Sequence, residues 1–424
     1  MKTRHIAHIV VEADTPLKVG SNTSDFLQDS PIQRDFNGLP MILATSIAGV
    51  LRKDFDKIKV ADVFGDEFTK KKEAQGSKVI FSNALLCINN NNEVCEELLA
   101  DKTTFLKLFD TLPIREHTAI TDKGVAKEHA KFDEEVLYKG TRFKFSIEVL
   151  EDEKSFEEIL ALLCSSSFRL GGGSTKGFGK LKIIEIKKES FELESYENYS
   201  SSLNYALKNS HTIQERDSQT HTRYTLKITP EDFFIFGSGF GDEDADATPV
   251  YEYVIDYAQG ALGKKQILIP ASSIKGALAH RTTFHYNALV GNSIEEKNGV
   301  SSLEAIFGSA KDSKDKTKQG SKGKLILSDC FKGDRQETKT FDHVSIDRFT
   351  GGAIDGALFQ EKTVAQKDLW EVDILLEKSV DGNELKAFEK TLTDITTGML
   401  PLGGMTTKGH GVFVGEVFKD GKKL

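Results

Sequence analysis

Two pairs of hydroxyl side chains stand where an apolar strand pattern gives way to a helix pattern. Thr45 and Ser46 follow one apolar run, and Ser272 and Ser273 follow another. A hydroxyl oxygen at a helix start accepts hydrogen bonds from free backbone amides, and amides left free attract anions, most often phosphate. A single copy is explained by a plain helix cap. Two copies in register require a further explanation, and phosphate binding is one.

The two stretches belong to a longer internal repeat. Ile47 aligns with Ile274, at an offset of 274 − 47 = 227 residues. In each half an apolar strand pattern, a helix pattern, a second strand and a long hairpin pattern follow one another in the same order. An internal repeat in sequence indicates a repeated structural unit, so the chain is predicted to contain two copies of one fold.

Each half also ends in a glycine-rich loop with one lysine. Residues 170–179 and 402–411 share four glycines at the same spacing, and Lys176 aligns with Lys408 at an offset of 408 − 176 = 232. Neither loop has the nucleotide-binding pattern GxxxxGK[ST], because Phe or His stands where its Lys is required. What remains is a backbone that can approach a partner closely beside a positive charge. Tight packing of the loop against its own sheet is the structural alternative.

One carboxylate stands apart from the other acidic residues. Asp29 lies near the end of the polar loop 22–30, two residues before Pro31 and five residues before Arg34. A carboxylate in such a place could orient a hydroxyl or hold a divalent cation for phosphodiester cleavage. A structural turn in which the aspartate side chain bonds its own backbone is the alternative.

The elements that must position these residues can be predicted from periodicity. Alternation over 141–149 predicts a strand, and apolar residues at helical spacing over 155–163 predict a helix. Turn residues within 120–134 and 346–361 predict long hairpins. The fold class is α+β, with two tandem ferredoxin-like (RRM-like) domains carrying inserted hairpins and loops. The predicted boundaries are 1–190 for the first domain, 191–220 for a linker and 221–424 for the second domain.

Composition limits the classes of function. The 424 residues carry a net charge of −9, so bulk electrostatic coating of nucleic acid is excluded and any polyanion must be held by local basic patches. Four scattered cysteines without a CxxC pair favour reduced thiols over a disulfide framework or a zinc site. No apolar run reaches the roughly 20 residues of a membrane helix, and the start is too short for a signal peptide, so a cytoplasmic protein without membrane contact is predicted. The candidate basic patches, with solvated loops as the alternative, are Lys70, Lys71, Lys72 and Lys78, and Lys314, Lys316, Lys318, Lys322 and Lys324.

Taken together, these motifs resemble the RAMP superfamily of CRISPR-associated proteins, and in particular the backbone subunits of type III effector complexes with two such domains fused. Residues 29–35 read Asp-Ser-Pro-Ile-Gln-Arg-Asp, similar to the family's Asp-x-Pro-hydrophobic-x-Arg-Asp loop. Residues 269–276 read Ile-Pro-Ala-Ser-Ser-Ile-Lys-Gly, similar to its phosphate-binding turn, and both glycine loops match its C-terminal loop. Residues 345–351 resemble the hairpin, or thumb, that wedges into a guide–target duplex.

The resemblance implies binding of CRISPR RNA, capture of complementary target RNA, and assembly with other RAMP subunits and a large polymerase/cyclase-like subunit. It also implies that the loop Asp, here Asp29, supports target cleavage with a divalent cation such as magnesium, the neighbouring 2′-hydroxyl being the nucleophile. The predicted RNA contacts are Arg34, Thr45, Ser46, Arg52, Gly172, Lys176, Ser272, Ser273, Lys275, Arg281, Arg348, Gly404 and Lys408.

The chain departs from the family pattern in three places. Ala247 stands where the second copy should carry the loop Asp, which leaves Asp246 one position away. Ala48 replaces the Lys of the phosphate-binding turn in the first copy, so Lys275 is the better guide contact of the two. The first hairpin has Thr-Asp at 121–122 where the second has Asp-Arg.

Two other functions remain open from the sequence. One is a structural RNA-binding subunit without catalysis. The other is an endoribonuclease that processes precursor CRISPR RNA with a histidine base, for which His5, His8, His117 and His129 are candidates.

Overall fold

The structure is a computed structural model that contains a large hydrophobic core in each half of the chain and a smaller cluster around Ile6, Phe191 and Leu207. It describes residues 3–21, 31–66, 75–120, 126–197, 199–293, 298–309, 320–333, 337–365 and 367–424. Asp29, the turn at 121–122, Lys70, Lys71, Lys72, Lys314, Lys316 and Lys318 lie outside these ranges.

The first half is built on one antiparallel sheet with two main helices. Its strands are β1 (Arg4–Ala13), β2 (Met41–Ile42), β3 (Val79–Phe81), β4 (Ala84–Leu86), β5 (Ile114–Ile120), β6 (Ala126–Glu135), β7 (Arg142–Leu150), β8 (Leu181–Phe191) and β9 (Asn209–Ser210). Its helices are α1 (Ala44–Asp54), α2 (Val60–Phe64), α3 (Thr104–Lys107), α4 (Glu153–Leu163) and α5 (Leu193–Tyr196).

The second half repeats this order. Its strands are β10 (His221–Pro230), β11 (Tyr251–Glu252), β12 (Ile255–Asp256), β13 (Ala261–Leu262), β14 (Gln266–Ile269), β15 (Leu325–Leu327), β16 (Cys330–Lys332), β17 (Thr338–His343), β18 (Phe359–Val364), β19 (Trp370–Glu377), β20 (Phe413–Lys419) and β21 (Lys422–Lys423). Its helices are α6 (Ala271–Val290), α7 (Asn298–Phe307) and α8 (Gly382–Thr396), with a 3-10 turn over Thr406–Lys408.

The two sheets have equivalent strand orders. In the first, β1 lies between β7 and β8, with β3 and β4 both pairing the far side of β7; in the second, β10 lies between β19 and β20, with β15 beyond β19. Strand β7 alternates strictly between buried and half-buried residues because one of its faces packs on the core. Helix α4 buries Phe156, Ile159, Leu160 and Leu163, the residues whose spacing predicts it. The mixed helix-and-strand class and its repetition are confirmed.

Both long hairpins are present as separate two-stranded ribbons. Strand β5 pairs with β6, and β17 pairs with β18 from Thr338 opposite Val364 to His343 opposite Phe359. The root of each ribbon lies beside the glycine loop of its own half, with β6 next to Lys176 and β18 next to Lys408.

The segment predicted as a linker, 191–220, packs on the first half. Strand β9 pairs with β8, and Leu203 lies in the first core. Residues of the second half reach the same core: Ile255 and Tyr257 are buried in it, and the Tyr257 hydroxyl accepts a hydrogen bond from Arg142 N at 3.0 Å. The halves are thus interlocked, and the domain boundaries stay a prediction. Among the described helices, none is long and apolar enough to cross a membrane.

Candidate nucleic-acid interface

The helix starts differ from the prediction in how they are capped. Helix α1 begins at Ala44 and α6 begins at Ala271, so the two hydroxyl residues of each pair lie two and three positions after the cap, inside the first turn. The residues at the cap positions are Leu43 and Pro270, and neither helix start receives a hydrogen bond from its own cap side chain. The predicted capping role of Thr45, Ser46, Ser272 and Ser273 is therefore wrong.

A side chain from the short connection between two strands supplies the cap in both halves. Asn83 Oδ1 accepts a hydrogen bond from Ala44 N at 2.9 Å, and Asp329 Oδ1 accepts one from Ala271 N at 2.8 Å. Asn83 and Asp329 occupy the same place in the repeat, directly after a serine that ends β3 or β15. Sequence reasoning missed this pair, although its position in the repeat was visible.

Freed from capping, most of these hydroxyls are at the surface. Thr45, Ser46 and Ser273 are exposed, and Ser272 is half-buried. Arg52 lies in the last turn of α1, where its positive charge is favourable to the helix dipole. The hydroxyls remain available as hydrogen-bond partners for a ligand.

The two glycine loops have the same hydrogen-bonded shape. Gly172 N donates to Lys18 O and Gly404 N donates to Ile235 O, both at 2.7 Å. Leu402 N donates to Gly411 O at 2.8 Å, as Leu170 N does to Gly179 O at 3.1 Å. At Gly411, with φ +78°, a Cβ would lie inside contact distance of Leu402 O, so only glycine fits.

Each glycine-loop lysine is held by the hairpin root of its own half. In the first half, Lys176 Nζ lies 4.7 Å from the centre of the Phe132 ring and 3.3 Å from Glu134 Oε1. His117 stacks on the same ring with centroids 5.0 Å apart, and its Nε2 lies 3.1 Å from Glu134 Oε2. Burial opposes ionisation of Glu134, but His117, Lys18 and Lys176 together hold the pKa of its carboxyl well below the usual range. The carboxylate is therefore charged and fixes the lysine.

The second half repeats this cluster with a different charge balance. Lys408 Nζ lies 4.9 Å from the centre of the Phe359 ring, on which His343 stacks at 4.6 Å. Glu361 is fully buried and hydrogen-bonded to His343 Nε2 at 3.1 Å, and His410 Nε2 lies 3.8 Å from its other oxygen. The sequence repeat aligned Phe359 and Glu361 with Phe132 and Glu134, but it did not predict that these side chains contact the histidines and the glycine-loop lysine.

The first glycine loop meets the second helix start across the junction between the halves. Asp329 N donates to Gly177 O at 3.3 Å, and a Cβ at Gly177 would lie 2.8 Å from Ala271 Cβ. Lys275 is one turn further along α6; burial and the positive charge of Lys176 lower the pKa of its ammonium group. The loop that carries Lys176 therefore packs against the start of the helix that carries Lys275.

Other predicted contacts are engaged within the fold. Arg34 Nη1 donates to Gly38 O and Phe109 O, both at 2.9 Å, so it ties a loop together. Arg281 bonds Asp394, which also accepts from His285 Nε2 at 2.8 Å. Both arginines are hydrogen-bonded to residues of their own half, and their roles as RNA contacts stay predictions.

The tip of the second hairpin is exposed and apolar. Phe349 is 98% exposed and Ile346 60% exposed, and Arg348 between them is exposed as well. The turn is ordered by Asp347 Oδ1, which accepts hydrogen bonds from Phe349 N at 2.6 Å and Thr350 N at 3.0 Å. A rigid turn thus presents an aromatic ring and a guanidinium group far from the core.

The predicted catalytic position is described only in the second half. Asp246, the neighbour of Ala247, accepts a hydrogen bond from Gln360 N at 2.7 Å and so is tied to β18. Asp29 lies outside the described residues. In the part of the chain that the structure describes, no group of three His, Cys, Asp or Glu side chains could hold a metal ion.

Comparison with known proteins gives a family. A family model described as "RAMP superfamily" matches residues 10–182 and 261–414. No curated protein matches the sequence. A chain in the solved "Cryo-EM structure of the Type III-B Cmr-beta bound to cognate target RNA" has a TM-score of 0.33 and 16% identity over 44% of this chain and 61% of that one, so less than two thirds of it is covered. At that TM-score the likeness supports no conclusion about this chain. Because the family model covers more than half of the sequence, the protein belongs to the RAMP superfamily.

Proposed function

We propose that the chain is a CRISPR RNA-binding backbone subunit of a type III effector complex that captures complementary target RNA. Its partners would be other RAMP subunits and a large polymerase/cyclase-like subunit. The observation that carries the proposal is the packing of the first glycine loop, which carries Lys176, against the start of α6, which carries Lys275. A chain with a net charge of −9 gains a local phosphate-binding site only where such charges are brought together.

The chemistry of the junction suits a single RNA strand. Lysine ammonium groups bind phosphate as point charges, and the exposed hydroxyl of Ser273 can bond a phosphate or a ribose hydroxyl. The exposed Phe349 on the second hairpin can stack on a base or wedge between bases, since every base has an apolar face. Contacts to the phosphates and riboses of an RNA strand, together with stacking on a base, would leave the base edges of a guide strand free to pair with a target.

Further parts of the proposal concern fold and place. The strand order of both halves, with β1 or β10 between two partners, supports two ferredoxin-like RAMP domains. We also propose a cytoplasmic location, where guide RNA and target transcripts would meet the protein.

RNA binding is tested with the full chain and a labelled single-stranded RNA over a series of salt concentrations. Lys176→Gln and Lys275→Gln should each weaken binding and lower the slope of log affinity against log salt by about 0.7 for one lost phosphate contact. Lys154→Gln and Lys386→Gln remove exposed lysines of α4 and α8 and serve as matched controls. Equal effects of all four substitutions would mean that the junction is not the RNA site.

The cleavage part of the proposal rests on the family resemblance of the loop that contains Asp29. We propose that this carboxylate, with a divalent cation such as magnesium, supports cutting of the target strand. In the assembled complex, Asp29→Ala should abolish cutting next to the first half and leave target binding intact. If cutting is unchanged, the chain is a structural RNA-binding subunit, which is the main alternative.

Precursor processing by a histidine base is less well supported by the described histidines. His5 Nδ1 is paired with Ser190 Oγ at 2.8 Å, His8 is buried, and His117 belongs to the hairpin-root cluster. Incubation of the chain alone with precursor CRISPR RNA decides this alternative, because processing needs no partner subunit.

A further inference from the structure

The junction between the halves contains a buried cluster of three charged side chains. Arg115, on the root of the first hairpin, donates from Nη1 to Asp329 Oδ2 and from Nε to Glu252 Oε1, the latter at 2.8 Å. Arg115 is 7% exposed and the Asp329 side chain is fully buried. The cluster of Arg115, Glu252 and Asp329 is called the ion triad below.

The ion triad joins three elements that bear on RNA binding. Asp329 caps Ala271, the first residue of α6, and its backbone amide bonds Gly177 O in the first glycine loop. The guanidinium group of Arg115 lies over the ring of Phe178 in that loop, 4.8 Å from its centre. One buried carboxylate therefore connects the first hairpin, the first glycine loop and the second helix start.

Electrostatics explain why the three members depend on one another. Burial disfavours the charge on Arg115, but Asp329 and Glu252 raise its pKa above the ordinary value. Burial raises the pKa of Glu252, and Arg115 opposes this. Removal of one member of a buried ion pair leaves an uncompensated charge in the interior, so the three side chains depend on one another.

The other half of the repeat shows that neither a hairpin root nor a helix cap needs these charges. The hairpin roots align His117 with His343, which places Phe341 at the position of Arg115. The helix caps align Asn83 with Asp329. Both neutral residues lie in the same folded elements, so the charges serve the contact between the halves and not the elements themselves.

We propose that Arg115, Glu252 and Asp329 are positioning residues that clamp the first glycine loop onto the start of α6 and so hold Lys176 and Lys275 as one phosphate-binding pair. This inference rests on the proposed RNA binding. Without the clamp, each lysine would stay on its own half but would no longer face the same phosphate. The triad itself does not touch RNA.

The test compares the coupling between the two lysines in different backgrounds. RNA affinity is measured for Lys176→Gln, Lys275→Gln and the double variant, in the wild-type chain and in Asp329→Asn and Arg115→Met chains, with a labelled single-stranded RNA. In the wild type the double variant should lose less than the product of the single losses, because both lysines serve one phosphate. In the two triad variants the losses should multiply and overall affinity should fall by about tenfold, the effect of about 1.4 kcal/mol.

Two choices keep this experiment interpretable. Asp329→Asn removes the charge but keeps an oxygen that can accept from Ala271 N, as Asn83 does for Ala44 N in the first half. This variant therefore still tests the triad if Arg115→Met fails to fold. Arg4→Met is the matched control: Arg4 also pairs with a glutamate, Glu148, and lies over an aromatic ring, but away from the junction.

If the coupling between Lys176 and Lys275 is the same in both triad variants as in the wild type and in Arg4→Met, the positioning role is overturned. Absence of RNA binding by the wild-type chain would overturn the proposed function instead. The two failures are therefore distinguishable.

Discussion

A single methyl group at the junction should distinguish a close contact between the halves from an ordinary glycine turn. Gly177 and Gly409 are equivalent residues with φ of +114° and +91°, so alanine at either position carries a similar backbone strain of about 1–2 kcal/mol. A Cβ at Gly409 meets nothing within 4 Å. At Gly177 it would lie 2.6 Å from Asp329 Cγ and 2.8 Å from Ala271 Cβ.

The steric difference can be converted into a stability difference. Asp329 cannot swing away at low cost because it is held by Arg115 and by Ala271 N. Forcing extra volume into a packed site costs about 1–3 kcal/mol, so Gly177→Ala should lose about 2–5 kcal/mol in all. Gly409→Ala should lose only the strain.

Thermal unfolding of both variants beside the wild type measures this difference. About 2–4 °C of Tm is expected for each kcal/mol in a domain of this size, so Gly177→Ala should melt roughly 2–12 °C below Gly409→Ala. If the two variants melt together, the halves do not meet at Gly177, and the shared phosphate site loses its support.

Three further predictions follow from burial and backbone geometry. Burial, helped by the positive charge of Lys144, lowers the pKa of His8 to about 4. The buried neutral imidazole therefore contributes stability that is lost as the pH falls from 6.5 towards 4, and urea titrations should show the free energy of unfolding decrease by up to about 3 kcal/mol over that interval. His8→Phe should remove this pH dependence. Burial raises the pKa of the Cys87 thiol to about 12, so mass spectrometry after iodoacetamide treatment at pH 8 should find Cys87 unmodified in the native chain and modified in urea. Met405 has φ +55°, so Met405→Gly should raise Tm by the equivalent of up to about 1 kcal/mol, and a lower Tm would contradict the strain argument.

Much of the fold could be predicted because its signals are local. The alternation along β7 and the helical spacing along α4 arise from one-sided burial, which sequence records directly. The hairpins and the glycine loops were visible because they occur twice. By contrast, Ile255 and Tyr257 carry no pattern that says which core they enter, and they pack on the first half although they belong to the second.

The candidate site was predicted in its parts but not in its arrangement. Thr45 and Ser272 were placed correctly at helix starts, but their capping role failed because Asn83 and Asp329 reach the free amides first. Such caps depend on tertiary structure, and sequence spacing holds no record of them. Arg115 was missed for the same reason, since both of its carboxylate partners are more than 130 residues away.

The pattern of differences between the two halves is itself an argument about function. Both halves keep the lysine of the glycine loop over a phenylalanine of the hairpin root, Lys176 over Phe132 and Lys408 over Phe359. The halves differ in the residues at the junction. Arg115 and Asp329 are buried where the two halves meet, whereas Asn83 caps α1, whose first turn is exposed. The common set is therefore our candidate for ligand binding by each half, whereas the divergent set lies where the halves are joined.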